Sequence, residues 1–260
     1  MPPSESTTAS QRIVSFVRFS AGFIFLALIS IVYLCVAVLL LPSRRLRIYS
    51  GNVYGKIVGP TILWISGTRV QIQNKELLNS QTPALYITNH SSELDPFIAM
   101  AFCPIGGCGI AKKELTRVPF FGQAYWLSGH LLINRKNREK AIASMAEIAN
   151  LVRKHRLSIW IWPEGTRSKD GRLLPLKKGF AHTAIATGLP IVPVVAHNAH
   201  HRWPARSTIM YPGQLNIDVL PAIDTSEWRT ETLDEHIRQV RQIFIDALSP
   251  EQRPLNQAAS

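Results

Sequence analysis

Residues 84–96 read ALYITNHSSELDP, an apolar run that leads through a short polar stretch to a proline. A short apolar run that ends in turn-forming residues is typical of a buried strand. The polar stretch is typical of the start of a helix, with Ser91 or Ser92 as its N-cap. These residues therefore predict a strand followed by a helix, the unit from which α/β sheets are built.

His90 and Asp95 lie on either side of this predicted strand-to-helix junction. On one continuous helix, residues five apart point about 140° away from each other, so the two side chains would not meet. They can meet if His90 ends the strand and Asp95 lies in the first turns of the helix. The pair then has the composition of a general base and its orienting carboxylate. A capped helix beside a buried histidine explains the same residues without catalysis.

The rest of the chain alternates between the same two periodicities. We predict strands at residues 84–88, 131–133, 158–162 and 191–196, and helices at residues 139–153, 180–187 and 233–248. Gly188 and Pro190 end the second of these helices. The alternation predicts an α/β fold, a mixed β-sheet flanked by helices.

The N-terminal part contains a long apolar segment. Residues 19–41 carry no charge, and as a helix they reach about 34 Å, enough to cross a hydrocarbon core of about 30 Å. The segment is too long for a signal peptide. A second apolar stretch, residues 57–65, is too short to span. It could lie in the interface, form a hairpin with the first that enters one leaflet, or begin the soluble domain.

The predicted organisation has four parts. They are a disordered or juxtamembrane N-terminus at residues 1–18, a membrane anchor at 19–66, a catalytic domain at 67–250 and a flexible tail at 251–260.

Composition limits the class of protein. With 260 residues, 46% hydrophobic and 18% charged, the chain is excluded from the disordered class and can bury a full core. The formal charge of +12 indicates an anionic partner, such as nucleic acid, anionic lipid or a phosphorylated substrate. No cluster of basic and aromatic residues resembles a nucleic-acid reader.

Cysteines and clustered histidines have simple interpretations. Cys35, Cys103 and Cys108 do not form a disulfide or metal framework, and we expect buried thiols in a reducing compartment. No acidic or cysteine ligand accompanies the histidines, which we expect at the surface: His197, His200 and His201.

Residues 158–168, SIWIWPEGTRS, form a second chemical motif. A buried strand delivers the polar residues into a turn, where Gly165 lets the backbone approach a ligand closely. Arg167 offers a planar fork that suits phosphate oxygens. A polar turn with one solvated arginine is the simpler alternative.

Two further motifs place basic residues at strand ends. Residues 111–122 read AKKELTRVPFFG and residues 129–135 read GHLLINR. Each could be a solvated charge run. Strand ends that face the same way are, however, where open α/β sheets bind ligands. Lys112, Arg135 and Arg167 would then form an anion clamp beside the histidine.

In order and spacing, NHSSELD, AKKELTRVPFFG, GHLLINR, PEGTRS and IVPV resemble the blocks of the glycerolipid acyltransferase family, in particular the bacterial 1-acylglycerol-3-phosphate acyltransferases. The resemblance covers about residues 70–222 and includes a similar N-terminal membrane anchor. It implies the glycerolipid acyltransferase fold.

The resemblance also implies roles for individual residues. His90 would deprotonate the hydroxyl of a lysophosphatidate, and Asp95 would orient its imidazole. Pro193 lies in the block associated with the acyl donor. Asn134 stands where the family commonly has aspartate, which affects how Arg135 is held. The positions that match acceptor- and phosphate-binding residues are Lys112, Arg135, Glu164, Gly165, Thr166 and Arg167.

The implied activity is acyl transfer from acyl-CoA or acyl-carrier protein to 1-acylglycerol-3-phosphate, giving phosphatidate without an acyl-enzyme, a metal or another cofactor. The expected location is a bacterial inner membrane, with the catalytic domain facing the cytoplasm. The expected partners are the two substrates and membrane lipids, but not nucleic acid. Three alternatives stay open: another lysolipid acceptor, a non-catalytic protein that binds anionic lipid, and a membrane-tethered nucleic-acid binder.

Overall fold

The structure is a computed structural model that describes residues 8–112, 116–117, 119, 121–133 and 138–255. Its strands are β1 (Thr68–Gln73), β2 (Leu85–Thr88), β3 (Gly107–Lys112), β4 (Leu131–Ile133), β5 (Ser158–Ile161), β6 (Ile191–His197) and β7 (Gly213–Val219). Its helices are α1 (Ala9–Leu39), α2 (Arg44–Ile65), α3 (Leu77–Ser80), α4 (Asp95–Phe102), α5 (Phe121–Leu127), α6 (Arg138–His155), α7 (Gly179–Thr187) and α8 (Leu233–Ala247).

The strands form one sheet in the order β1-β7-β6-β2-β5-β3-β4. From β6 to β4 all neighbours are parallel, whereas β7 runs antiparallel to β6 and parallel to β1. The predicted mixed α/β sheet is therefore confirmed. Because β2, β5, β3 and β4 are parallel, their carboxyl ends lie at one edge of the sheet.

The predicted strands and helices are present, together with further strands and helices that the sequence pattern does not predict. The helix predicted at 180–187 ends at Gly188, which has a φ of 69° in the left-handed region that glycine tolerates. Strands β1, β3 and β7 were not predicted. The predicted N-cap at Ser91 or Ser92 is wrong, because α4 begins at Asp95 and its N-cap, Leu94, makes no side-chain cap bond.

Helices cover the two faces of the sheet with separate apolar cores. On one face α6, α7 and α8 pack through residues such as Val152, Phe180 and Phe244 against β5 and β6. On the other face α2 and α4 pack through Val58 and Ile98. On the second face, therefore, an N-terminal helix packs directly onto the sheet.

Among the helices that the structure describes, α1 alone is long and apolar enough to cross a membrane. It begins at Ala9, so residues 9–18 of the segment predicted to be disordered or juxtamembrane are helical. One side of α1 faces the protein, where Ser15 exchanges hydrogen bonds with the backbone of Met210 and the Ser30 hydroxyl lies 2.7 Å from that of Tyr54. The opposite side exposes large apolar side chains.

Three expectations about individual residues need correction. The predicted flexible tail is folded at its start, because Gln252 is buried and accepts a hydrogen bond from the backbone of Asn198. Cys35 is exposed on α1, whereas Cys103 and Cys108 are buried, and all three are free. His200 is buried rather than at the surface, since its ring packs on Gly171, where a Cβ would lie 2.1 Å from the ring.

Candidate active site

Asp95 is held by the backbone of the loop that precedes it. Its side chain is 0% exposed, and Oδ2 accepts hydrogen bonds of 2.9 Å from the N–H groups of both Ser91 and Ser92. Asp95 is also the first residue of α4, where the helix dipole favours a negative charge. The serines thus bind the carboxylate through their backbones instead of capping the helix.

His90 lies against this carboxylate, with Nδ1 2.6 Å from Oδ2 of Asp95. An ionised carboxylate can only accept, so the Nδ1 proton points to Asp95 and Nε2 is left with its lone pair. The ring also stacks on Trp162, with centroids 5.0 Å apart. These contacts fix both the tautomer and the orientation of the imidazole, which a general base requires.

The backbone of His90 is tied to the neighbouring strand end. Its N–H donates to Oε1 of Glu164 at 2.5 Å, and its carbonyl accepts from the N–H of Ser168 at 2.8 Å. The other carboxylate oxygen of Glu164 accepts from the N–H of Leu174. Glu164 therefore bridges three chain segments around the histidine.

Glu164 is 1% exposed, and burial raises the pKa of its carboxyl to about 8, against the opposing effect of the two backbone N–H donors. It does not line the cavity described below. Its oxygens are occupied by backbone donors, so its geometry suits positioning of His90 rather than contact with an acceptor.

A cavity of about 910 Å³ opens at His90 and is lined mainly by apolar groups. Its lining passes from His90 across Trp160 of β5 and Gly109 of β3 to His130 at the start of β4, beneath helices α2 and α4. This volume lies at the upper end of the range for ligand sites, about 300–1,000 Å³. The shape suits a long apolar group that ends near the histidine.

The end of the cavity away from His90 is neutral. The N–H of Gly109 donates to Nδ1 of His130 at 3.2 Å, and burial lowers the pKa of His130 to about 4. His130 is therefore uncharged at neutral pH. Among the described residues, those that line the cavity at this end carry no charge, which again favours an apolar occupant.

Cationic side chains surround the other end, near His90. Arg167 lines the cavity, and its guanidinium contacts both carboxylate oxygens of Glu93 at 3.2 Å. Lys169 and Arg206 line the same region. Lys169, Arg206 and Glu93 are not among the predicted site residues, because no strand-end motif identifies them.

Of the other predicted site residues, some line the cavity, one does not, and two lie wholly or partly outside the described part of the chain. Gly165 lines the cavity with a φ of 71°, and the exposed Thr166 lines it too. Lys112 ends β3 at the same edge of the sheet as His90, but its side chain lies outside the described part. Arg135 lies outside the described residues. Pro193 is buried within β6, opposite Ile87, and does not line the cavity.

Among residues 8–112, 116–117, 119, 121–133 and 138–255, no group of three or more His, Cys, Asp or Glu side chains could hold a metal ion. What the described groups can do is abstract a proton at Nε2 of His90 while a negatively charged group binds beside Arg167. The long apolar cavity would hold a chain attached to the reacting groups.

Comparisons with known proteins show which family the chain resembles. A family model described as Acyltransferase matches residues 69–197. A 1-acyl-sn-glycerol-3-phosphate acyltransferase from Cocos nucifera is 41% identical over 243 residues, covering 94% of this chain and 78% of the relative. One from Escherichia coli (strain K12) is 35% identical over 204 residues, covering 77% and 80%.

A solved structure has the same fold. The crystal structure of the 1-acyl-sn-glycerophosphate acyltransferase PlsC from Thermotoga maritima aligns with a TM-score of 0.73 over 89% of this chain and 92% of that one. Since the identity is 20%, this likeness concerns the fold alone.

Proposed function

The chain belongs to the acyltransferase family that includes the 1-acyl-sn-glycerol-3-phosphate acyltransferases, and we propose that it acylates the free hydroxyl of 1-acylglycerol-3-phosphate to give phosphatidate. The acyl donor in this proposal is a thioester, acyl-CoA or acyl-carrier protein. The observation that carries the proposal is the oriented His90–Asp95 pair at the opening of a long apolar cavity.

The proposed reaction is a direct transfer. Nε2 of His90 takes the proton from the acceptor hydroxyl as its oxygen attacks the thioester carbonyl. The tetrahedral intermediate collapses with cleavage of the carbon–sulfur bond. The imidazolium of His90 then donates this proton to the departing thiolate, which leaves as a thiol. Asp95 stabilises the imidazolium in between, because its carboxylate is already hydrogen-bonded to Nδ1.

Charge at the opening supports a phosphorylated acceptor. Arg167 is a planar donor that can bind phosphate oxygens in pairs, and it borders the cavity together with His90. Glu164 holds the His90 backbone beside it. We therefore assign Arg167 to the phosphate and Glu164 to positioning of the base.

The test uses the full-length protein in lipid or detergent with lysophosphatidate and radiolabelled acyl-CoA. We expect wild type to form phosphatidate and His90→Ala to lose about 10²–10⁴-fold in rate, the usual contribution of a general base. His197→Ala removes a histidine from another His–Asp pair and is the matched control. If wild type forms no product, or His90→Ala matches it, the proposal fails. A protein that binds lysophosphatidate without turnover would be a lipid-binding protein instead.

We also propose that the anchor is a helical hairpin in one leaflet, with the catalytic domain facing the cytoplasm. Between Ser15 and Ala37, a distance of about 33 Å along the helix, α1 keeps one side buried on the protein. Gly22 faces Ile62 of α2 there. Attachment along this length supports a helix that stays on the domain rather than one that crosses the bilayer, and its outer face presents apolar side chains such as Phe16 and Phe23 to lipid.

Cysteine labelling tests this topology in sealed membrane vesicles of both orientations. Cys35→Ala removes the exposed native thiol, and Ser10→Cys or Ser226→Cys then adds one at the start of α1 or on the domain. A membrane-impermeant maleimide should label both positions from the cytoplasmic side. Labelling of the two positions from opposite sides would mean that α1 spans the membrane.

A further inference from the structure

The loop at residues 203–212 borders the opening of the cavity and is attached to the segment between His90 and Asp95. The carbonyl of Trp203 accepts hydrogen bonds from the N–H of Glu93 at 3.1 Å and from the hydroxyl of Ser92 at 2.7 Å. Ser92 is fully buried, and it also pairs with Pro204 in an isolated bridge. The loop is therefore fixed to the segment between His90 and Asp95.

Within this loop, Arg206 meets Arg167 at a single carboxylate. Oε1 of Glu93 accepts a hydrogen bond from the backbone N–H of Arg206 at 2.8 Å and from the guanidinium of Arg167 at 3.2 Å. Arg206 has a φ of 62°, a left-handed conformation that is uncommon and strained for a residue other than glycine. The bond to Glu93 helps to hold Arg206 in this conformation beside Arg167.

The charges in this region do not balance. Glu93 is shared between Arg167 and the backbone of Arg206, and Asp170 accepts hydrogen bonds within its own turn. Arg206 lines the cavity with its side chain exposed, and its guanidinium makes no ion pair with any residue that the structure describes. Lys169, which is exposed, adds a further positive charge. The opening therefore has positive charge in excess.

A phosphate monoester fits this excess better than other lipid headgroups. It carries up to two negative charges and three terminal oxygens, so two guanidinium groups can bind it at once. A phosphodiester carries one charge and two such oxygens, and a headgroup without phosphate carries neither. A second arginine would therefore discriminate in favour of the monoester.

We propose that Arg206 is a second guanidinium ligand for the phosphate of the acceptor, held in place by Glu93, and that it makes the enzyme selective for a phosphate monoester headgroup. The inference rests on the proposed acylation of lysophosphatidate and adds to it the residue that selects the headgroup. Arg167 binds the phosphate from the side of the catalytic strand ends, and Arg206 binds it from the side of the loop at residues 203–212.

The test compares Arg206→Ala and Arg206→Lys with Arg229→Ala, which removes an equal charge from an exposed position outside the cavity lining. Steady-state kinetics are measured with lysophosphatidate and with 1-monoacylglycerol, which lacks the phosphate. Glycerol 3-phosphate serves as a competitive inhibitor that reports on the phosphate site alone.

In Arg206→Ala we expect the KM for lysophosphatidate and the inhibition constant of glycerol 3-phosphate to rise about 10- to 100-fold, with kcat and the KM for acyl-CoA within about 2-fold of wild type. Arg206→Lys should recover part of the loss, because an ammonium keeps the charge but not the fork. The rate with monoacylglycerol should not fall.

Two outcomes separate this inference from the proposed function. If wild type acylates lysophosphatidate but Arg206→Ala retains the wild-type KM and inhibition constant, Arg206 does not bind the phosphate and the inference is wrong. If wild type does not acylate lysophosphatidate, the proposed function itself fails. Equal losses with lysophosphatidate and monoacylglycerol would also contradict the inference, since they would indicate a general structural effect.

Discussion

Two histidine–aspartate pairs in this molecule have nearly the same separation and quite different surroundings. His90 lies 2.6 Å from Asp95, and His197 lies 2.8 Å from Asp218. The side chain of Asp95 is 0% exposed, whereas that of Asp218 is 26% exposed. Distance alone therefore does not distinguish a candidate catalytic pair from an ordinary ion pair.

The surroundings make the difference. Asp95 is held by two backbone N–H groups and leaves Nε2 of His90 available beside the cavity. In the second pair Nε2 of His197 is already bonded to Asp218, on the antiparallel strands β6 and β7, and His197 does not line the cavity. A base needs a fixed carboxylate, an accessible ring nitrogen and room for substrate. Among the described residues Oδ1 of Asp218 has no hydrogen-bond partner and no backbone N–H binds its Oδ2, and the second pair does not border the cavity, so it lacks the first and the third of these.

The largest expected effect comes from changing the aspartate of each pair. Asp95→Asn should reduce kcat about 10²–10⁴-fold, because the amide no longer stabilises the imidazolium or the required tautomer. Asp218→Asn should leave kcat within about 2-fold. Phosphatidate formation at saturating substrates measures both variants. Equal losses of kcat in Asp95→Asn and Asp218→Asn would mean that the two His–Asp pairs do not differ in their role.

The next largest effect concerns the cavity. Of the two His–Asp pairs, only the pair of His90 and Asp95 borders it. Gly55 lines the cavity, and a Cβ there would make ordinary contact with Met100 of α4 at 3.5 Å, so a larger side chain narrows the cavity where it runs between α2 and α4. Gly55→Leu should displace about two methylenes of a long chain, which costs about 1.6 kcal/mol or about 10-fold. The ratio of kcat/KM for long to short acyl-CoA chains should fall by this factor.

Gly55→Ala is the control for this variant, because it adds only the Cβ. It should keep the chain-length preference of wild type. If Gly55→Leu also keeps the chain-length preference of wild type, the acyl chain of the donor does not bind in this part of the cavity.

An effect on stability rather than on rate tests the support that Glu164 gives the first pair. Its pKa is about 8 in the folded protein, against 4.5 for the ordinary group. Between these values the folded state binds a proton that the unfolded state has lost, so stability falls as pH rises from about 4.5 to 8. The glutamine of Glu164→Gln cannot ionise, so this variant does not lose stability in this way as the pH rises.

Thermal unfolding from pH 5 to pH 8 measures the effect. Between pH 5 and pH 8 the raised pKa is worth up to about 3.5 kcal/mol, so the Tm of Glu164→Gln relative to wild type should rise with pH by up to about 10 °C, at about 2–4 °C per kcal/mol for a domain of this size. A difference between the two Tm values that stays constant over this range would contradict the raised pKa.

The smallest effect is expected at the second pair. His197→Ala removes a partly exposed ion pair, which is worth up to about 1 kcal/mol. Its free energy of unfolding should fall by no more than this amount, with unchanged kcat. Chemical denaturation and the acyl-transfer assay check the two expectations. A large loss of activity would give the second pair a role that its surroundings do not suggest.

The sequence predicted the central strands because they are buried on both faces. Residues 85–88 and 191–196 are fully buried in β2 and β6, and such strands appear as continuous apolar runs. Strands β1 and β7 alternate between buried and exposed positions over six or seven residues, which is a weaker signal. β3 begins Gly-Cys-Gly, and glycine is depleted in strands.

For the candidate site, motifs located the residues near His90 but not how they act. The sequence placed Glu164 among the acceptor-binding residues, whereas its oxygens bind the backbone of His90 and Leu174. It predicted Ser91 or Ser92 as a cap, whereas both bind Asp95. Backbone hydrogen bonds depend on where neighbouring strands end, and no single motif contains that information.

By itself the sequence determined the α/β class, the pairing of a histidine with an aspartate across a strand-to-helix junction, and the apolar N-terminal segment. These follow from short-range periodicity and spacing. Only the tertiary structure decided which His–Asp pair borders the cavity, that α1 lies along the domain, and that Arg206 reaches the same opening as Arg167. The physical reason is that each depends on contacts between residues far apart in the chain, which form only when the strands are ordered in the sheet.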